Sequence, residues 1–153
     1  MKEVDYSLDY KNLDFTNSST RKLYRIGRGE QLVLLVRPYT EDICQYWRFK
    51  NEVTARKSAA KIYQMFRTYA RNDDFIGMDM ALKFIYMGFT RSRRYANHSN
   101  GKKYSENGEI LPQSKDALTN EKARASRIFK LTWDKARNDP KYIRMRKEWR
   151  DNE

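Results

Sequence analysis

The chain has 153 residues and carries 32 lysines and arginines against 20 acidic residues, a formal net charge of +12. Hydrophobic residues make up 39% and aromatic residues 14% of the sequence, which is enough for one folded domain with its own core and excludes a globally disordered chain. Solubility requires only about 2–8 net charges, so the surplus predicts an anionic partner: nucleic acid, an anionic membrane surface or an acidic protein.

The cysteine content and the hydropathy of the chain indicate its compartment. Cys44 is the single cysteine, so no internal disulfide can form, as is typical of a reducing compartment. The first ten residues are acidic and polar, and no apolar stretch approaches the roughly 20 residues of a membrane span. These features predict a cytoplasmic protein that has no membrane partner.

The N-terminal part of the chain carries the signals for β structure. Residues 1–22 form a polar segment in which Val4, Tyr6, Leu8 and Tyr10 alternate with polar residues, a weak strand pattern. The apolar run at residues 32–36 predicts a stronger strand, because Gly27 and Gly29 before it permit a hairpin or a bulge. We therefore expect a small N-terminal β element, with residues 23–153 forming a single globular domain.

The next part of the chain is predicted to be helical. Thr40-Glu41-Asp42 places a capping residue and two acids at the start of a short helix. A second helix follows from about residue 53, because apolar residues recur there at steps of three and four. Residues 75–87 are apolar nearly all round, which predicts the buried central helix of the core.

Four further elements complete the predicted order. Thr90 caps a short basic helix at residues 91–97, and residues 98–116 form an irregular loop. A long amphipathic helix covers residues 118–138, and Asp139-Pro140 begins a last helix. The predicted fold class is mainly α with a small N-terminal β element (α+β), in one compact domain.

The stretch MGFTRSRRYANHSNGKKY at residues 87–104 contains five cations and no acid. Such a run repels itself unless solvent or an anionic partner neutralises it, and the tyrosines within it offer ring faces on which bases can stack. A solvated helix with a mobile loop is the alternative interpretation. Arg28, between two glycines, and Arg48, beside Trp47, extend the predicted anion site. Its full set is Arg28, Arg48, Arg91, Arg93, Arg94, Tyr95, His98, Lys102, Lys103 and Tyr104.

The signals for catalysis and metal binding are weaker. His98 is either a general acid or base or, more commonly for a histidine in a polar loop, a hydrogen-bonding surface group. Asp73 and Asp74 are well placed to cap a helix, and Asp79 in its apolar helix predicts a salt bridge to an arginine. One histidine and one cysteine cannot supply a zinc ligand set. No catalytic residue, metal or cofactor is predicted.

Three segments resemble a family of small basic proteins from tailed phages and some bacteria, a domain of unknown function: YRIGRGEQLVLLVRPY, YWRFK and DDFIGMDMALKFIYMGFTRSRRYANHSNGKKY. The resemblance runs from about residue 24 to residue 133 and leaves out the first twenty residues. It implies a phage or bacterial origin but no activity. The motif positions that it marks are Arg28, Glu30, Trp47, Arg48, Asp79, Arg91, Arg94, His98 and Lys103.

The leading hypothesis is therefore a phage-encoded, non-enzymatic nucleic-acid-binding protein, with cations on phosphates and Tyr95 and Tyr104 stacking on bases. The first alternative is a pocket for a nucleotide or another phosphorylated small ligand, such as a host signal nucleotide that a phage would sequester. In that case Arg28, Arg91, Arg94 and His98 would converge on one cavity. The second is an enzyme acting on nucleic acid or nucleotides through Asp79, Glu30 and His98.

Overall fold

The computed structural model describes residues 2–153, and the secondary structure of this part of the chain is helical. A 3₁₀ turn at Tyr10–Asn12 precedes six α-helices. They are α1 (Ser18–Arg21), α2 (Tyr39–Cys44), α3 (Glu52–Arg71), α4 (Phe75–Asn97), α5 (Glu121–Arg137) and α6 (Pro140–Asp151).

Helix α4 lies at the centre of the bundle, as its apolar sequence predicts. Two of its glycines let neighbouring aromatic rings approach the helix backbone: Gly77 lies under the ring of Tyr69 on α3, and Gly88 under the ring of Phe129 on α5. The side chain of Phe84, between them, is fully buried. These contacts bring α3, α4 and α5 together as the main layer of the core.

Side-chain caps explain where the long helices begin. The Asn51, Asp74, Asn120 and Asp139 side chains each accept a hydrogen bond from a backbone N–H in the first turn of α3, α4, α5 and α6, respectively. Such caps satisfy N–H groups that have no partner within the helix. The predicted cap at Asp139, followed by Pro140, is confirmed.

Helices α4 and α5 run antiparallel. At one end of the pair the Asn120 amide donates to the carbonyl of Ala96 at 2.9 Å. Farther along, the rings of Tyr86 and Trp133 lie 5.0 Å apart. The carboxyl end of α4 is therefore beside the start of α5, whereas α6 packs against the first half of α4, where Tyr142 contacts Asp79.

The predicted N-terminal β element is wrong, because residues 2–153 contain no strand and no sheet. The apolar run at residues 32–36 instead forms successive turns, closed by bonds such as Leu35 N–H to the Leu32 carbonyl at 2.9 Å. The Thr40 hydroxyl donates to the Val33 carbonyl at 2.9 Å. Because these local bonds satisfy the backbone while Leu32, Val33 and Val36 are buried, the run needs no partner strand. The α+β fold class is corrected to all-α.

The predicted break between a central helix and a separate basic helix is also wrong. Helix α4 continues through Gly88 and Thr90 to Asn97. Gly88 is retained in the helix interior because the Phe129 ring occupies the space of its missing side chain. The Thr90 hydroxyl bonds to the Met87 carbonyl at 3.2 Å and to the Glu30 carboxylate, so it does not cap a new helix.

Within residues 2–153, none of the helices combines the length and the apolar character that a membrane crossing requires.

Candidate anion-binding sites

The sequence-predicted site residues fall into separate places. Arg91, Arg93, Arg94 and Tyr95 lie on the last turns of α4, and His98, Lys102, Lys103 and Tyr104 follow in the connection to α5. Arg28 lines a pocket on another part of the molecule, to which Arg48, Arg91 and Arg94 do not contribute. The pocket alternative requires Arg28, Arg91, Arg94 and His98 to converge, and Arg28 lines this pocket without the other three residues.

The last turns of α4 and the start of the connection form what we call the α4-end surface: Arg91, Arg94, Tyr95, Lys102, Lys103 and Tyr104. All six residues are exposed. Arg91 lies 3.7 Å from the Glu30 carboxylate in a half-exposed ion pair, a pair type that contributes at most about 1 kcal/mol. Arg94 has no carboxylate within 4 Å among residues 2–153. Both guanidinium groups are available to an anion.

Arg93 has a structural role instead. Its guanidinium donates to the Ala117 carbonyl and, at 3.1 Å, to the Asn97 side-chain oxygen. It therefore ties the far end of the 98–120 connection to α4. Burial lowers the pKa of Arg93, and the nearby charge of Arg127 lowers it further.

Aromatic rings and cations lie together at this end of the bundle. Tyr95 packs against Phe49 with ring centroids 5.9 Å apart. The Lys122 ammonium lies 4.8 Å from the Phe49 ring centroid and 5.6 Å from that of Tyr95. The pKa of Lys122 is lowered, first by burial and then by the charge of Lys50. Neighbouring cations at this end thus repel one another, which an anionic partner would relieve.

His98 and Arg48 lie in different surroundings from those that the sequence suggests. His98 is only 7% exposed, so the expectation of a surface hydrogen-bonding histidine is wrong; its Nδ1 has no hydrogen-bond partner among the described residues. Arg48 donates to the carbonyls of Cys44 and Trp47 at 3.3 and 2.7 Å, and so it caps the carboxyl end of α2.

A second basic feature is a concavity that we call the α6 pocket. Its walls are the first half of α4, the end of α5, one face of α6 and the turn around Gly27 and Gly29, and its volume is about 710 Å³. Six cations line it: Arg28, Lys83, Arg137, Arg146, Lys147 and Arg150. Its two carboxylates belong to Asp79 and Asp151. Arg146 and Arg150 both line the pocket because residues four apart on α6 share one helix face.

Lys83 is the most unusual cation of the α6 pocket, because it is 3% exposed. Its ammonium donates to the carbonyl of Gly27 at 2.6 Å. The pKa of Lys83 is lowered mainly by burial; the carboxylate of Asp79 opposes this shift, and the charge of Arg146 adds to it. Lys83 and Arg146 are thus neighbouring cations, and neither has a carboxylate within 4 Å in residues 2–153.

Asp79 does not form the arginine salt bridge that its position in an apolar helix predicts. Its carboxylate accepts hydrogen bonds from the phenols of Tyr24 and Tyr142, the latter at 2.7 Å. Burial, with the adjacent carboxylate, raises the pKa of both phenols well above the ordinary value. Two hydrogen bonds from neutral donors therefore satisfy this buried carboxylate.

The described residues contain no group of three or more His, Cys, Asp or Glu side chains arranged to hold a metal ion. Asp73 pairs with Lys141 at 2.6 Å, and Asp74 caps α4 while binding Arg21 at 3.0 Å. Both of these aspartates thus have structural partners.

Comparison with known proteins identifies the family. The model of the family described as Domain of unknown function (DUF4385) matches residues 5–152. The chain belongs to this family. The match to DUF4385 includes most of the N-terminal segment that the resemblance at residues 24–133 leaves out. No curated protein and no solved structure matches the chain.

The α6 pocket contains functional candidates that the sequence analysis missed. Lys83 is a cation inside an apolar helix, and Arg146 and Arg150 are spaced four apart on α6. Both are signals that a sequence can show. Only the fold, however, reveals that α6 turns this face towards Lys83.

Proposed function

We propose that this DUF4385 protein is a non-enzymatic nucleic-acid-binding protein that uses its α4-end surface. The observation that carries the proposal is the exposure of four cations and two tyrosines, Tyr95 at 38% and Tyr104 at 53%, within one acid-free stretch. Exposed cations that are unpaired, or only weakly paired as Arg91 is with Glu30, attract phosphates, and exposed rings give bases a stacking surface.

The division of labour among the arginines follows from their contacts. Arg91 and Arg94 lie three residues apart on α4 and share a face, so both can contact neighbouring phosphates. Arg93 positions the connection through Ala117. Lys102 and Lys103 extend the row of positive charge beyond the end of the helix, where Lys103 also lies 5.6 Å from the Tyr104 ring centroid.

The dispersal of Arg28, Arg48, Arg91 and Arg94 supports a surface over a pocket built from these residues. A polymer with regularly spaced phosphates fits an open row of cations, whereas a compact anion requires convergent donors. The origin that we propose is a phage, as the family resemblance implies, and the site of action is the cytoplasm of its host.

The test is equilibrium titration of a labelled duplex and a labelled single strand of mixed sequence at two salt concentrations. About four phosphate contacts predict a slope near −3.6 in log K against log salt, hence a roughly 100-fold loss of duplex affinity between 50 and 200 mM. Salt-insensitive binding, or no binding of either strand type at low salt, would refute the proposal.

A further inference from the structure

We propose that the α6 pocket is a separate binding site for a compact organic phosphate that carries a planar ring, of which a nucleoside diphosphate is the simplest example. This inference does not depend on the α4-end surface, because none of the residues of that surface lines the pocket.

The first argument is the balance of charge within the pocket. Of its two carboxylates, that of Asp151 pairs with Lys147 at 2.6 Å, and that of Asp79 accepts from two tyrosines. Arg137 pairs with Asp134 at 3.0 Å. Arg28, Lys83, Arg146 and Arg150 remain without a carboxylate within 4 Å among residues 2–153. Four such cations around one concavity create a strongly positive potential, which a compact anion neutralises.

The second argument is burial. Lys83 is almost fully removed from solvent, and burying an ammonium is costly unless it is paired. Its present partners, the carbonyls of Gly27 and Gly29, are neutral. The Nε of Arg150 is likewise buried and has no hydrogen-bond partner in the part of the chain that the structure describes. Lys83 therefore has only neutral acceptors and the Nε–H of Arg150 has none, so an anion would give both donors a stronger partner.

The third argument is the shape and lining of the pocket. A volume of about 710 Å³ falls in the range of about 300–1,000 Å³ that is typical of small-molecule sites. Tyr86 and Trp133, whose ring centroids lie 5.0 Å apart, form an aromatic wall, and Leu82 and Ile143 also line the pocket. The guanidinium of Arg137 lies 4.4 Å from the ring centroid of Trp133, so a cation adjoins the aromatic wall. A ligand that carries both phosphates and a flat ring can contact the cations and the aromatic wall together.

The test uses the full chain and isothermal titration calorimetry with three probes: ADP, adenosine and inorganic pyrophosphate. ADP should bind about 10-fold or more tightly than either of the others, since it alone engages both the cations and the aromatic wall. Arg146→Gln and Arg150→Gln should each weaken ADP binding about 10- to 100-fold, as expected for the loss of a charge-assisted hydrogen bond.

Arg144→Gln is the matched control, because Arg144 lies on the same helix, is exposed and does not line the pocket. It should change ADP affinity by about 2-fold or less. Two variants on α6 keep the test informative if one of them fails to fold, which circular dichroism would show. Pyrophosphate binding as tight as ADP binding, an equal loss in Arg144→Gln, or no ADP binding at low salt would overturn the assignment.

Duplex titrations separate this site from the α4-end surface. Arg146→Gln should lower duplex affinity by no more than Arg144→Gln does, because both remove one charge from α6. If Arg146→Gln instead abolishes duplex binding and leaves ADP binding intact, the α6 pocket belongs to the polymer site and the inference is refuted.

Discussion

Replacing Gly88 by alanine tests the central packing contact of the bundle. A Cβ at this position would lie 2.5, 2.6 and 2.8 Å from three atoms of the Phe129 ring, closer than carbon atoms approach without repulsion. Phe129 is fully buried, so its ring has little room to move. Overpacking costs about 1–3 kcal/mol, and the higher helix propensity of alanine returns about 1 kcal/mol. With three close contacts, we expect a net loss of about 1–2 kcal/mol.

Urea unfolding followed by far-ultraviolet circular dichroism measures this loss. Phe129→Leu provides the matched background, because a smaller side chain makes room for the new methyl group. On that background Gly88→Ala should cost clearly less than in the parent, a coupling that a double-mutant cycle isolates. A Gly88→Ala protein more stable than the parent, or equal losses on the two backgrounds, would refute the packing of α4 on α5.

Three further predictions concern the core, the connection and the buried phenols. Phe84→Ala should cost about 3–5 kcal/mol in chemical denaturation, and a loss below about 1 kcal/mol would contradict the central position of α4. Arg93→Ala should cost about 1–2 kcal/mol, because it removes charged hydrogen bonds; protease cleavage within residues 98–120 should become faster, and unchanged cleavage would contradict the tether. Tyrosines with raised pKa values should stabilise the fold below pH 10 and lose that contribution as pH rises through their folded pKa values, about 12 for Tyr69. Absorbance at alkaline pH should show a group of phenols that ionise later than the others: Tyr10, Tyr24, Tyr39, Tyr69 and Tyr142. A single step for all tyrosines near pH 10 would contradict this prediction.

Helix positions could be predicted from the sequence wherever caps and apolar periodicity coincide. Asp139 marks the start of α6, apolar periodicity from about residue 53 places α3, and the apolar run from residue 75 marks the central helix. Caps and periodicity do not distinguish a turn from a strand at residues 32–36, since a short apolar run fits a buried turn as well as a strand. Whether the run forms a turn or a strand depends on which group bonds to its backbone. Here the Thr40 hydroxyl donates to the Val33 carbonyl, and sequence periodicity does not reveal this bond.

The candidate sites show the same limit. The acid-free stretch identifies the exposed cations of α4, but the sequence does not show that Arg93 turns back to Ala117. It also does not show that His98 is buried. The partners of Asp79 come from residues 55 and 63 positions away, so only the tertiary packing distinguishes tyrosine phenols from the arginine that charge alone predicts.

The most direct test of the proposed function is the duplex affinity of three single variants at fixed low salt: Arg91→Ala, Arg94→Ala and Arg67→Ala. Arg67 is the control, because it is exposed in the second half of α3, away from the α4-end surface. Arg91→Ala and Arg94→Ala should each weaken binding by a similar, modest step and reduce the salt slope by about one contact, whereas Arg67→Ala should do neither. Equal losses in all three variants, or a complete loss of duplex binding in Arg94→Ala alone together with mononucleotide binding that Arg94→Ala also abolishes, would contradict the account.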